Sequence, residues 1–137
     1  MAETVRKVDY FYIETPDKPG EGAKVLAALR DAGVNLLGFT GFPRRRKAQI
    51  DFIPEDAVTF KTAARKAGLK LSAKKTGFLI QGDDRPGAFA DIMGKLAAVN
   101  INVTASDAVC AGEGRYGAML WVKPADVRKA AKALGAT

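Results

Sequence analysis

Asp17-Lys18-Pro19-Gly20 and Asp84-Arg85-Pro86-Gly87 are two copies of one short pattern, 67 residues apart in a chain of 137 residues. The match extends well beyond the four residues, because apolar positions fall on apolar positions along both copies. The matching pairs are Phe11 and Phe78, Ile13 and Ile80, Leu29 and Leu96, and Val34 and Ile101. The chain is therefore predicted to be a tandem duplication, with domains at residues 1–74 and 75–137.

The pattern in each copy lies between a predicted strand and a predicted helix. Aromatic and β-branched residues predict strands at Val8–Glu14 and Gly77–Gly82. Because Asp favours the N-cap position and Pro tolerates the first helical turn, helices are predicted at Pro19–Ala32 and Pro86–Val99. Asn100 is expected to end the second of these helices.

The remaining elements complete a ferredoxin-like plan in each copy. The fold predicted is α+β: two tandem βαββαβ units with antiparallel sheets and helices on one face. The first copy has a short predicted fourth strand at Leu69–Ala73, whereas the second copy reaches Thr137 without room for one. The last strand of the second unit is therefore expected to be missing, and the uncovered edge predicts pairing with another chain.

The start of each helix is the best candidate binding site. The first backbone amides of a helix have no internal partner and attract anions. Gly20 and Gly87 leave room for a carboxylate there, and Asp17 and Asp84 are positioned to accept a bond from an ammonium group. A small zwitterion fits this chemistry. The same residues also make a good strand-to-helix turn, so a purely structural interpretation stays open.

The pattern Phe/Tyr-x-Ile-x-x-x-Asp-x-Pro-Gly, then a helix, then Gly-Val-Asn or Asn-Ile-Asn, resembles the ACT domain over nearly all of the chain. The resemblance implies a regulatory module that binds an amino acid or similar small metabolite at the interface between two units. It is closest in kind to stand-alone tandem ACT proteins, because no catalytic or DNA-binding segment accompanies the two copies. The ligand-binding residues that it implies are Asp17, Lys18, Pro19, Gly20, Glu21 and Asn35, with Asp84, Arg85, Pro86, Gly87, Ala88 and Asn102 in the second copy.

The composition argues against catalysis. The chain has no His and a single Cys, so it has no Ser/His or Cys/His nucleophile pair and no His-containing or four-cysteine zinc site. We predict no enzyme activity, no metal and no cofactor. Cys110 is expected to be a small, at least half-buried apolar residue. One Cys and no long apolar run favour a cytoplasmic protein without a membrane span.

The net charge of +7 is concentrated in one stretch. Residues 61–75 contain six basic and no acidic side chains, whereas residues 1–60 contain nine of each. This concentration of basic residues has two ordinary structural explanations: cations are favoured at the end of a helix by its dipole, and lysines protect an edge strand from pairing with another chain. The expected partners are a small-molecule ligand and a second copy of the chain, with a dimer favoured. Two alternatives remain: a basic ferredoxin-like nucleic-acid-binding module, although the charge distribution does not favour nucleic acid as a partner, or a scaffold that regulates a partner enzyme without a ligand.

Overall fold

The computed structural model describes residues 3–137, which divide into two compact units. The N-terminal unit comprises Asp9–Lys75, and the C-terminal unit comprises Thr76–Thr137 together with the N-terminal residues through Val8. The ranges predicted from sequence, 1–74 and 75–137, therefore differ from these units mainly at the N-terminus. One strand contributes residues to both units.

Each repeat contains strand, helix, strand, strand and helix in that order, which confirms the predicted α+β, ferredoxin-like plan. None of the helices within residues 3–137 is both long enough and apolar enough to cross a membrane. The elements are β1 (Thr4–Pro16), α1 (Glu21–Asp31), β2 (Leu36–Arg44), β3 (Lys47–Pro54), α2 (Ala57–Lys66), β4 (Lys75–Asp83), α3 (Ala88–Ala97), β5 (Val103–Gly112), β6 (Arg115–Val122), a 3-10 turn (Pro124–Asp126) and α4 (Val127–Leu134).

The N-terminal unit is a three-stranded antiparallel sheet in the order β2-β3-β1, with its apolar face covered by α1 and α2. Phe11 pairs with Phe52 across β1 and β3, and both side chains lie against Phe60 of α2. The ring centroids are 5.4 Å apart for Phe11 and Phe60 and 5.3 Å for Phe52 and Phe60. Each ring buried in this way stabilises the unit by about 1.5–3 kcal/mol.

The C-terminal unit has strand order β1-β4-β6-β5, in which the N-terminal part of β1 lies beside β4. Alternate residues of β4 and β6 face α3 and α4, so Phe78 pairs with Leu120 and Ile80 with Ala118 inside the core. The outer strand β5 is exposed along nearly its whole length.

The strand expected to be missing from the second unit is supplied by the start of the chain. Val5, only 7% exposed, packs in the core of the C-terminal unit. The Thr137 backbone donates to the Val5 carbonyl (3.0 Å), and the Lys7 amide donates to the Thr137 carbonyl (2.9 Å). The Tyr116 hydroxyl donates to Glu3 at 2.8 Å, and burial together with this bond raises the pKa of Tyr116 to about 12. The second repeat therefore has no strand of its own after the last helix within residues 3–137, as predicted, but the edge expected to pair with another chain is covered by the first residues of β1.

The fourth strand predicted at Leu69–Ala73 is not formed. These residues have no strand structure and are hydrogen-bonded to β1 at Ser72, whose amide donates to the Tyr12 carbonyl (2.9 Å) and whose hydroxyl accepts from the Tyr12 amide (3.0 Å). In a regular β-ladder the Tyr12 amide would donate to a backbone carbonyl of the neighbouring strand. Because it donates to the Ser72 side chain instead, the segment stays outside the sheet.

The first helix of the second repeat ends as predicted, with Asn100 in the left-handed conformation (φ 60°). The Asn100 amide donates to the Ala97 carbonyl (3.0 Å), and the Ile101 amide donates to the Leu96 carbonyl (3.0 Å). Asn reaches this conformation more easily than other residues with a Cβ atom, which explains its presence at this helix end.

We expect Asn100→Ala to lower the free energy of unfolding of the C-terminal unit by about 1 kcal/mol, because Ala is strained in the left-handed region. Asn100→Gly serves as the matched control and should be at least as stable as the original chain. Urea unfolding followed by fluorescence measures both, since Trp121 is the single Trp of the chain, is only 5% exposed and lies on β6 of this unit. Equal stability of the two variants would contradict this explanation.

Candidate functional site

Helices α1 and α3, which follow the loops after β1 and β4, begin differently from the prediction. Gly20 and Gly87 occupy the N-cap positions in the left-handed conformation, with φ of 90° and 78°, and neither helix has a side-chain cap. Asp17 and Asp84 therefore do not cap their helices, and the prolines precede the helices instead of lying in their first turns. The reason is conformational: each glycine turns the chain before the helix begins, which is a conformation that residues with a Cβ atom rarely adopt.

A pocket of about 260 Å³, here called the N-terminal pocket, lies between the loop after β1, the first turn of α1 and strands β2 and β3. Its loop side is charged, and its strand side is largely apolar. The lining residues are Thr15, Pro16, Asp17, Lys18, Glu21, Gly22, Phe39, Gly41, Phe42, Pro43, Ala48 and Ile50.

The N-terminal pocket contains side chains of both charges. Glu21, with a side chain 14% exposed, pairs with Lys24 at 3.2 Å. Within residues 3–137, neither Asp17 nor Lys18 forms an ion pair. The amide of Gly22 lies in the first helical turn, where the helix itself offers no acceptor. A carboxylate at Lys18 and this amide, with an ammonium at Asp17, would satisfy groups that now face water.

The corresponding C-terminal pocket, of about 330 Å³, is chemically different. The guanidinium Nη2 of Arg85 lies 2.6 Å from Asp91, whose hydrogen bond and charge raise the pKa of Arg85. Phe89 stands where the first repeat has Gly22. The cation is therefore already neutralised, and the first-turn backbone is flanked by a large side chain. The lining residues are Asp84, Arg85, Gly87, Ala88, Phe89, Ala90, Ala108, Val109, Cys110 and Tyr116.

Cys110 is exposed, which corrects the expectation that it is at least half-buried. It lies at the far end of β5, an edge strand with little cover on either face. A hydrogen bond to Asp84, followed by desolvation and the Asp84 charge, raises the pKa of the Cys110 thiol. The thiol is therefore accessible but poorly ionised near neutral pH.

We expect Asp84→Asn to accelerate alkylation of Cys110 by iodoacetamide severalfold at mildly alkaline pH, because the thiolate is the reactive form. Removing the carboxylate lowers the raised pKa and so increases the thiolate fraction at that pH. Asp107→Asn removes the same charge from the strand that carries Cys110 and should leave the rate unchanged. Equal rates in the two variants would show that Asp84 does not control this thiol.

Some predicted site residues lie outside the pockets. Pro19 and Gly20 do not line the N-terminal pocket, and Pro86 does not line the C-terminal one. Asn35 is held at another point, where its side-chain amide donates to Glu55 at 3.0 Å. Asn102 is exposed and is also outside the lining. The structure thus groups Asp17, Lys18 and Glu21 in one pocket and Asp84, Arg85, Gly87 and Ala88 in the other.

The apolar wall of the N-terminal pocket was not predicted. Phe39 and Phe42 on β2 are 39% and 40% exposed, and Phe39 contacts Phe52 edge-on with centroids 5.8 Å apart. Large exposed aromatic side chains on one strand are a signal for a binding surface. The sequence contains this signal, but only the fold shows that both residues line the same pocket as Asp17.

Comparison with known proteins identifies the fold through solved structures. No family model and no curated protein matches the chain. Protein BT0572 from Bacteroides thetaiotaomicron is 18% identical, with a TM-score of 0.77 over 97% of this chain and 88% of that one. The regulatory subunit of aspartate kinase from Thermus thermophilus, in a ligand-free form, is 20% identical, with a TM-score of 0.65 over 98% and 93%.

The corresponding subunit from Thermus flavus is 19% identical, with a TM-score of 0.60 over 98% of this chain and 94% of that one. The chain shares the fold of these regulatory subunits. The likeness covers both repeats, so the tandem, ACT-like arrangement predicted from the sequence is confirmed as a fold. At such low identity the likeness does not assign a ligand.

Proposed function

We propose that this chain is a non-catalytic regulatory module that binds an amino acid with an apolar side chain in the N-terminal pocket. The observation that carries the proposal is that one pocket combines an apolar wall with two opposite charges, Asp17 and Lys18, neither of which is neutralised by an ion pair within residues 3–137. A free amino acid has this combination of a carboxylate, an ammonium and a side chain.

Each part of the ligand has a partner of matching chemistry. The carboxylate is held by Lys18 and the first-turn amides of α1, which favour an anion through both hydrogen bonding and the helix dipole. The ammonium is held by Asp17. An apolar side chain lies against Phe39, Phe42 and the neighbouring apolar residues, from which it displaces water.

The fold supports a regulatory role for this binding. The solved structures that share it over both repeats include regulatory subunits of aspartate kinase. A ligand shifts the equilibrium between two conformations only by its difference in affinity for them. Regulation by this chain therefore requires that the amino acid bind one conformation more tightly than another.

Isothermal titration with leucine, phenylalanine, aspartate and lysine, each up to millimolar concentration, tests the proposal. We expect heat from the two apolar amino acids and little or none from the charged ones. A folded protein that binds none of the four would contradict amino-acid binding. Preference for aspartate or lysine would contradict the role of the apolar wall.

Cys110 offers a second measurement, because it lines the C-terminal pocket and is the only thiol. A ligand in that pocket shields the thiol, whereas a ligand in the N-terminal pocket does not. We expect alkylation by iodoacetamide to proceed at the same rate with and without saturating leucine. Strong protection would place the amino acid in the second repeat instead.

We further propose that the chain acts as a homodimer. The support is strand β5, an exposed edge whose unpaired backbone groups favour pairing with another strand. Val109 on this strand is 70% exposed. Light scattering after size-exclusion chromatography is expected to give twice the chain mass of 14.6 kDa. A monomer at the highest concentration tested would contradict the dimer.

A further inference from the structure

A second pocket in the N-terminal unit, here called the basic pocket, has a volume of about 370 Å³ and shares no lining residue with the N-terminal pocket. It lies between α2 and the residues that follow it. Its cationic residues are Lys61, Arg65 and Lys74. The size is within the range typical of small-molecule sites.

The three cations of the basic pocket have no counter-charge. Within residues 3–137, none of them forms an ion pair, and no acidic side chain lines the pocket. The Lys61 ammonium instead lies 5.6 Å from the centroid of the Phe11 ring. Cations that line one pocket without acidic neighbours raise the local concentration of anions.

The structural reasons expected for this charge do not account for it. Residues 69–73 are not a strand, so Lys74 does not protect a strand edge. The helix dipole favours Arg65 in the last turn of α2 but not Lys61, which lies one turn earlier. Lys61 and Arg65 are four residues apart on the same helix face, and like charges at this spacing destabilise a helix.

The rest of the basic pocket is apolar. Phe11 forms its floor and is 1% exposed, and Leu69 and Leu71 are partly buried against the same core. Since Leu69 and Leu71 lie outside the sheet, their side chains form a wall beside the cations. The pocket therefore combines a cationic rim with an apolar surface.

We propose that the basic pocket binds a small organic anion with an apolar body. Its phosphate or carboxylate is held by Lys61, Arg65 and Lys74, and its apolar part packs against Leu69 and Leu71. The planar guanidinium of Arg65 matches the paired oxygens of either group. The site is separate from the proposed amino-acid site in both its residues and its charge.

Fluorescence titration with 8-anilinonaphthalene-1-sulfonate tests the proposal, because this probe carries an anionic sulfonate on an aromatic body. We expect saturable binding that weakens at high salt. Arg65→Gln and Lys61→Gln should each weaken binding roughly fivefold to tenfold, the effect of losing one charge-assisted contact. Lys66→Gln is the matched control, since it removes the same charge from the same helix outside the pocket.

Equal weakening by Lys66→Gln and Arg65→Gln would show diffuse attraction to a basic surface and would overturn the site. Circular dichroism melts establish that the variants fold alike. Displacement of the probe by phenyl phosphate or by phenylacetate distinguishes a phosphate from a carboxylate ligand. Equal displacement by benzyl alcohol, which is neutral, would also overturn the proposal. Gly22→Leu, which fills the N-terminal pocket, should leave probe binding unchanged, so the two sites are tested independently.

Discussion

Val5→Asp is expected to lower the free energy of unfolding of the C-terminal unit by about 3 kcal/mol, the largest stability effect that we predict. The substitution loses the burial of an apolar side chain, worth about 1.5–2 kcal/mol. It also places a carboxyl group among apolar side chains without a partner, which costs about 1–3 kcal/mol. Val5 is 7% exposed in the core that contains Phe78 and Ile80.

The measurement is urea unfolding followed by Trp121 fluorescence, which reports on the C-terminal unit. Thr4→Asp is the matched control, because it introduces the same charge at the neighbouring, exposed position of β1. We expect the control to change stability by less than about 0.5 kcal/mol. Similar effects from both substitutions would mean that the first residues of β1 do not belong to this core.

Gly22→Leu should weaken binding of leucine by more than tenfold without destabilising the fold. The side chain would occupy the N-terminal pocket beside the first-turn amides of α1. Gly22 has an ordinary helical backbone, and an added Cβ would meet no atom within 4 Å. Replacing a helical Gly also gains about 0.5–1 kcal/mol of helix stability. Gly20 is less suitable for this test, because its left-handed conformation makes any substitution there strained.

Gly94→Leu provides the control for Gly22→Leu. Gly94 is an exposed glycine within α3, an added Cβ there also meets nothing within 4 Å, and it lines neither of the two loop pockets. Isothermal titration with leucine compares the two variants, and thermal melts compare their stability. Unchanged affinity in Gly22→Leu would exclude the N-terminal pocket as the binding site. Reduced affinity in both variants would point to a general effect of the added apolar surface.

The repeats and most of their elements were predictable because they depend on local patterns, whereas the strand predicted at Leu69–Ala73 did not form. Alternating apolar residues around Phe11 and Phe78 identify strands, and Asn100 marks a helix end without knowledge of the rest of the chain. The role of Val5 was not predictable, because it depends on pairing with a distant strand. A single apolar residue among Thr4, Arg6 and Lys7 has no periodicity that would assign it to a core.

In the candidate site, too, some residues could be predicted from local sequence patterns and others only from the fold. The charged residues follow from the duplicated pattern, and the structure brings Asp17, Lys18 and Glu21 together. Phe39 and Phe42 are added because the fold brings β2 beside the loop of Asp17, which the spacing of residues in the sequence does not determine. Asn35 was placed in the site because of its position in the repeat, but its bond to Glu55 holds it elsewhere.

The two units differ in the sequence separation between the residues that must come together to form them. The N-terminal unit is made of contiguous residues, whereas the sheet of the C-terminal unit closes only when Glu3 and Tyr116, 113 positions apart, meet. Loop-closure entropy grows with the length of intervening chain, and such distant pairings slow folding. During synthesis the first repeat has its whole core available early, while the N-terminal residues wait for the second repeat with no partner strand. The segment that completes the C-terminal unit is thus made before its partner strands and is ordered only after they have formed.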